Sequence, residues 1–146
     1  MFIPGNNITI IDNTISSTSS STSTVNKVSF RVYRSITTVI NTNRSMPYDV
    51  IIDNIGEGFD VTTGKFTAPF SGIYFFYCVF WTSTNNLYNA ELYNETAAKI
   101  LMRIEQPLTG AGGQRSVHAS LNVSCNQGDM IYVRRSYGSI QIMTST

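Results

Sequence analysis

The chain has 146 residues, a formal net charge of +1 and only 13% charged side chains. This length suggests a single domain that buries roughly two-thirds of the surface of the unfolded chain. The low and balanced charge argues against a nucleic-acid partner, which needs a basic stripe, and no apolar run reaches the ~20 residues of a membrane helix.

The first 24 residues are predicted to form a stalk or linker. Residues 1–5 have neither the basic region nor the apolar core of a secretory signal peptide, so no export route is visible. Residues 8–11 can make a short strand, whereas residues 14–24 are almost entirely serine and threonine and have little to bury. The phrase over residues 5–16 resembles short repeats of phage and giant-virus fibre proteins, which wind three chains into a shaft.

From Val25 onwards the pattern is that of successive short β-strands. Alternating apolar residues and β-branched or aromatic side chains are bounded by Gly, Asn and Pro turn signals. The strands predicted before residue 70 cover 28–34, a continuation over 36–40, 48–52, 59–61 and 65–67.

Residues 72–81 are the longest apolar and aromatic run and are predicted to be the central strand. One face would carry Tyr74, Phe76, Cys78 and Phe80, and the other would carry Ile73, Phe75, Tyr77, Val79 and Trp81. A half-solvated strand alternates apolar with polar residues, and this one does not. We therefore expect one face to pack in the core and the other to contact a second subunit. The alternative is a strand covered on both faces by its own domain.

Five further strands are predicted after residue 82, over 87–93, 97–104, 116–124, 130–134 and 139–143. Residues 97–104 also have the propensity for a helical turn, but the surrounding pattern favours a strand. Roughly nine or ten short strands without a convincing helix predict an all-β, jelly-roll β-sandwich of two antiparallel sheets.

The spacing of aromatic, asparagine and glycine residues resembles the signature of the complement C1q globular-head domain family. The residues that carry this signature are Asn54, Phe59, Phe66, Gly72, Tyr74 and Phe76. The hairpin over residues 127–133 also resembles the penultimate hairpin of that family. Coverage runs from about Val25 to the end, so we assign 1–24 to the stalk or linker and 25–146 to the globular domain. The resemblance implies a jelly roll like that of the tumour necrosis factor superfamily, assembled as a homotrimer.

The chain departs from the family pattern at three places. Tyr48 stands where Phe is usual, and Cys78 stands where the last aromatic residue is expected. The family normally closes with one more strand, and no phrase for it occurs before Thr146. We therefore expect a C-terminally incomplete domain. The alternative is that another segment, such as Ile8 to Ile11, fills the place of that strand between the first strand and the central strand.

The resemblance implies a non-catalytic recognition head that binds an extracellular protein, a receptor or a glycan at the tip of a stalk or fibre. Its location would be extracellular or on a virion surface. The alternative is a structural trimerisation cap or virion-decorating protein without a ligand of its own. The sequence identifies no ligand-binding residue. Catalysis is not expected, because the sole histidine, His118, is accompanied by no nucleophile elbow.

Some members of this family bind calcium through loop carboxylates. The candidates in this chain are Asp49, Asp53, Glu57 and Asp60, in or beside predicted loops. The alternative, which we favour, is that these are solvated acids that form turns. No other cofactor is predicted, because no His/Cys cluster has zinc spacing.

The two cysteines, Cys78 and Cys125, do not make a disulfide framework. If the central strand starts at Gly72 and its antiparallel neighbour ends at Cys125, Cys78 falls opposite His118 or Ala119. Cys125 then lies about six residues away, near 20 Å at ~3.3 Å per residue, which is too far for a bond. We therefore predict two free thiols.

Two further sets of surface residues have ordinary explanations. Glycosylation sequons occur at Asn7, Asn43, Asn94 and Asn122, and they matter only if the chain passes through a glycosylating compartment. Arg134 and Arg135 could contact an anionic partner, or they could be an ordinary exposed strand end.

Overall fold

The computed structural model describes residues 8–11, 27–36, 38–40, 44–82, 88–106, 115–137 and 140–142. These residues contain twelve β-strands, β1 (Ile8–Ile11), β2 (Ser29–Tyr33), β3 (Thr38–Ile40), β4 (Val50–Ile55), β5 (Phe59–Asp60), β6 (Lys65–Thr67), β7 (Gly72–Thr82), β8 (Tyr88–Asn94), β9 (Lys99–Gln106), β10 (Arg115–Cys125), β11 (Met130–Tyr137) and β12 (Ile140–Ile142). Nothing helical in these ranges has the length and apolarity needed to cross a membrane.

Two five-stranded antiparallel sheets form the fold. The first sheet has the order β10-β7-β1-β2-β4, and the second has the order β5-β6-β11-β8-β9. Strands β3 and β12 form a separate two-stranded sheet. The all-β, two-sheet prediction is therefore confirmed.

The central strand lies where the sequence predicts it. Strand β7 pairs with β10 along its whole length, from Gly72 opposite Cys125 to Thr82 opposite Arg115. This register places Cys78 opposite Ala119, as the strand alignment predicts. Both cysteines are buried and free.

Aromatic side chains from both sheets fill the interior. Phe30 of the first sheet stacks on Phe59 of the second with ring centroids 4.5 Å apart. Phe66 meets the rings of Tyr74 and Phe76 edge-on at 5.3 and 5.8 Å. All five rings are at most 4% exposed, so this cluster is part of the apolar contact between the two layers.

The turn before β5 depends on glycine. Gly56 has a φ of +78°, which L side chains rarely adopt. At Gly58, an added Cβ would lie 2.6 Å from Cε2 of Phe66. The two glycines therefore let the chain reverse tightly over the aromatic core.

The predicted element boundaries need small corrections. The segment predicted over 97–104 is strand β9 from Lys99, preceded by a turn in which Ala98 has a φ of +50°. Strand β9 continues to Gln106, two residues beyond the predicted end at residue 104. Residues 8–11, which were assigned to the stalk or linker, are strand β1 and lie between β2 and β7, the place named as the alternative for the absent last strand. Residues 12–26 lie outside the described residues, so a stalk there stays a prediction.

Candidate functional site

The signature residues build the interior of the domain. The side-chain amide of Asn54 donates to the carbonyl of Phe59 at 2.8 Å and its oxygen accepts from the Phe59 N–H at 3.1 Å, which closes the glycine turn. The hydroxyl of Tyr74 donates to the carbonyl of Phe70 at 2.7 Å. Among the described residues nothing requires a glycine at position 72, since an added Cβ would meet only Tyr74 there, at 4.0 Å. Asn54 and the four buried aromatic residues of the signature therefore shape the fold.

The outer face of β7 is an apolar surface that the described residues leave partly open to solvent. Ile73 is 65% exposed, and Phe75, Tyr77 and Val79 on the same face are half-buried. The opposite face of the strand is completely enclosed, with Cys78 at 0% exposure. The predicted split between a core face and a solvent-facing apolar face is present. An exposed patch of this kind on a soluble domain is typical of a protein contact surface.

Strand β10 borders this apolar surface with small polar side chains. Ser120, Asn122 and Ser124 are exposed and lie opposite Tyr77, Phe75 and Ile73. The ring of His118 lies 6.2 Å from the ring of Tyr77. The surface is therefore apolar along β7 and polar along β10, with the sole histidine at its border.

A buried carboxylate on the second sheet was missed by the sequence analysis. Glu91 is 3% exposed. It accepts a hydrogen bond from Arg134 Nε at 3.1 Å and forms ion pairs with Arg134 at 3.0 Å and Arg103 at 3.3 Å. The guanidinium of Arg134 also lies 3.5 Å from the ring centroid of Tyr93. Arg134 is therefore part of a cross-strand ion cluster and is not an ordinary exposed strand end. A charge-assisted network of this kind fixes strands β8, β9 and β11 against each other.

An open cleft of about 650 Å³ lies beside this sheet. Its lining includes Arg44, Thr62, Lys65, Glu95 and Tyr132. Lys65 Nζ lies 2.6 Å from Glu95 Oε2 and 5.1 Å from the ring centroid of Tyr132. The cleft thus combines both charges with hydroxyl and aromatic groups, which suits a polar ligand.

The four candidate calcium ligands are not brought together. Asp49 accepts from the backbone and hydroxyl of Ser35, and Asp53 pairs with Arg31 at 3.4 Å. Asp60 accepts from the backbone and hydroxyl of Thr62, and these hydrogen bonds lower its pKa. Across the described ranges no group of three or more His, Cys, Asp or Glu residues could hold a metal ion.

One of the four sequons is closed to modification. Asn94 is 4% exposed, and its side-chain oxygen accepts from the Ala97 N–H at 2.9 Å. Asn122 is exposed on β10. Asn7 and Asn43 lie outside the described residues.

The comparison with protein families decides the relationship of the chain. The model of the C1q domain matches residues 29–146. The chain belongs to the C1q domain family. Domains of this family are typically trimeric, ligand-binding and non-catalytic.

Similar proteins come from both the C1q and the tumour necrosis factor groups. Human complement C1q tumor necrosis factor-related protein 3 is 29% identical over 102 residues, which are 68% of this chain and 40% of that protein. The chain therefore spans less than half the length of this relative.

Among solved structures, the globular domain of zebrafish complement 1qA protein aligns with a TM-score of 0.66 at 16% identity, covering 75% of this chain and 84% of its own. The Eiger TNF of S. frugiperda aligns with a TM-score of 0.58 at 10% identity, covering 97% and 87%. At these identities the similarity shows the fold alone.

Two departures from the C1q signature interact in the core. Burial, and secondarily the Cys78 thiol, raise the pKa of Tyr48 well above its ordinary value. The Tyr48 hydroxyl is enclosed and has no hydrogen-bond partner among the described residues. Burial likewise raises the pKa of the Cys78 thiol to about 12. Neither group is poised for chemistry at neutral pH, because a thiol reacts as its thiolate.

Proposed function

We propose that this C1q domain is a homotrimeric, non-catalytic recognition head that binds a protein, receptor or glycan in an extracellular setting or on a virion surface. The observation that carries the proposal is the exposed apolar face of β7. Ile73 is 65% exposed beside the half-buried Phe75, Tyr77 and Val79. Burying such a face between three copies around a closed symmetry axis would remove it from water.

Matched aspartate variants test the contact between copies. We expect Phe75→Asp to dissociate the trimer, because a carboxylate buried without a partner in an apolar contact is strongly unfavourable. The control is Ile100→Asp, which also places a charge at an exposed apolar position, 36% exposed on β9 of the other sheet. It should leave the assembly intact. Equal assembly of both variants, at unchanged circular dichroism, would contradict the proposed contact face.

For the ligand, we propose the cleft lined by Lys65, Glu95 and Tyr132 as the binding site. The full chain is screened on glycan and receptor arrays, and each saturable hit is titrated against two lysine variants. Lys65→Ala should weaken binding at least about tenfold, the loss expected for one charge-assisted contact of about 1.4 kcal/mol or more. Lys27→Ala removes the same charge from an exposed position outside the cleft and should bind as the wild type does. A verified trimer without any saturable ligand would contradict recognition and favour a structural cap.

A further inference from the structure

Strand β1 lies inside the first sheet, although both of its partner strands are far from it in the sequence. Its four residues pair antiparallel with β2 on one side and with β7 on the other. Ile10 occupies the register position between Phe30 and Phe76, both 1% exposed. Without β1, the facing backbone edges of β2 and β7 would lose their hydrogen-bond partners, and unpaired edges recruit other strands.

The two walls of this slot are anchored without β1. Strand β7 is paired along its whole length with β10, and β2 is paired with β4. Across the sandwich, Phe30 of β2 stacks on Phe59, and Phe76 of β7 contacts Phe66. The slot is therefore built by elements that stay connected to the rest of the domain when β1 is absent.

The connection from β1 to β2 is longer than a hairpin requires. Ile11 lies directly opposite Ser29, so the chain needs to span only the ~5 Å between paired strands. A hairpin does this with about two to five residues, whereas residues 12–28 are used here. Their contour, at ~3.3 Å per residue, is long enough for β1 to leave the slot while still attached. Among the described residues, the ladders with β2 and β7 set its register.

We infer that the slot between β2 and β7 is a strand-binding site and that residues 8–11 are its tethered, exchangeable ligand. The recognition mode is β-strand addition, in which main-chain hydrogen bonds supply affinity. The ligand class is an extended peptide whose four paired positions are uncharged and β-branched, as in Ile-Thr-Ile-Ile. A free peptide of residues 6–13 therefore occupies the slot whenever the chain's own β1 is weakened.

Peptide binding to the full chain tests this directly. The probe is a fluorescein-labelled peptide of residues 6–13, followed by anisotropy. Ile10→Pro weakens only the tethered strand, because proline cannot donate to the ladder, and Ser20→Pro is the control outside the strand. Since a tethered strand competes at an effective concentration in the millimolar range, we expect Ile10→Pro to bind the peptide at least about tenfold more tightly than the wild type or the control. Equal binding by all three chains overturns the proposal.

The test stays decisive even if Ile10→Pro has a folding defect. If that chain does not fold alone, it is refolded with excess unlabelled peptide and followed by near-ultraviolet circular dichroism. Recovery of the native signal with this peptide, and not with a peptide that carries proline at the position of Ile10, supports the strand site. Failure of the peptide to restore folding overturns it.

An engineered disulfide shows whether the slot is filled by β1 of the same chain or by β1 of a second copy. Ile8 lies directly opposite Cys78, and paired antiparallel residues have Cα separations of about 4.5–5.5 Å, within the disulfide range. The Ile8→Cys chain is refolded with oxidised glutathione, which accepts the two electrons as the two thiols form one disulfide. We expect a bond within one chain, and at least about tenfold weaker peptide binding until it is reduced. Thr9→Cys, opposite Tyr77, is the control and should remain unbonded. A covalent dimer, or equal bonding of both variants, overturns the assignment of β1 to its own slot.

Discussion

Tyr48→Phe is expected to stabilise the domain, although it removes a polar group from a native core. Tyr48 is 4% exposed, and its hydroxyl has no hydrogen-bond partner in the described part of the chain. In mutational data an unsatisfied buried hydroxyl costs about 1–3 kcal/mol. The ring keeps its edge-to-face contact with Phe59 at 5.8 Å in either residue. We therefore expect the free energy of unfolding to rise by about 1–2 kcal/mol.

Tyr74→Phe is the matched control for this prediction. It deletes the same atom, but the hydroxyl of Tyr74 donates to the carbonyl of Phe70 at 2.7 Å. The loss should therefore be about 1 kcal/mol. Both variants are compared with the wild type by urea unfolding at one fixed protein concentration, because assembly makes apparent stability concentration-dependent. A loss of stability in Tyr48→Phe as large as that in Tyr74→Phe would refute the reasoning, since it would mean that the Tyr48 hydroxyl is satisfied.

Three further substitutions test the core, the ion cluster and a turn. Glu91→Gln should cost about 2 kcal/mol, because the partly buried Arg134 loses its carboxylate; an effect abolished by 1 M NaCl would instead indicate an exposed pair. The folded-state pKa of Cys78 is raised from 9.0 to about 12. The contribution of this neutral thiol to the stability of the fold is therefore fully present below pH 9 and is lost as the pH rises towards 12. When the pH is raised from 8 to 10, the free energy of unfolding of Cys78→Ala, measured with urea, should therefore fall by about 1.4 kcal/mol less than that of the wild type. Equal falls in the two proteins would count against the burial of that thiol. Gly64→Ala should destabilise by more than Gly128→Ala in thermal unfolding. Both glycines have positive φ, but only at Gly64 would a Cβ collide with the Met46 carbonyl, and equal losses would be inconsistent with this contact.

Much of the fold followed from local pattern. The turn glycines and the aromatic spacing placed the turn at Asn54 and the start of the central strand at Gly72. The assumed pairing of Gly72 with Cys125 is the observed register of β7 and β10. The two faces of β7 were predictable because a strand has a side-chain period of two. The alternation of the two faces needs no information from distant parts of the chain.

The remaining features depend on residues that are far apart in the sequence. The composition of residues 8–11 indicated a strand, and its place between β2 and β7 was only an alternative, since no turn signal links it to either neighbour. Glu91 shares its strand face with Asn89, which indicated exposure. It is buried because arginines of β9 and β11 cover it. The candidate carboxylate of Asp49 accepts a hydrogen bond from Ser35 and forms an ion pair with Arg34. Residue spacing in the sequence does not reveal these contacts across the loop.

The mass of the full chain in solution tests the central claim most directly. Multi-angle light scattering on the eluting peak of a size-exclusion column reports that mass independently of shape. A homotrimer of the 16.2 kDa chain predicts about three times that mass, unchanged on dilution until the subunits separate. A mass of one chain at every concentration would contradict a trimeric head and leave the apolar face of β7 without the contact proposed for it.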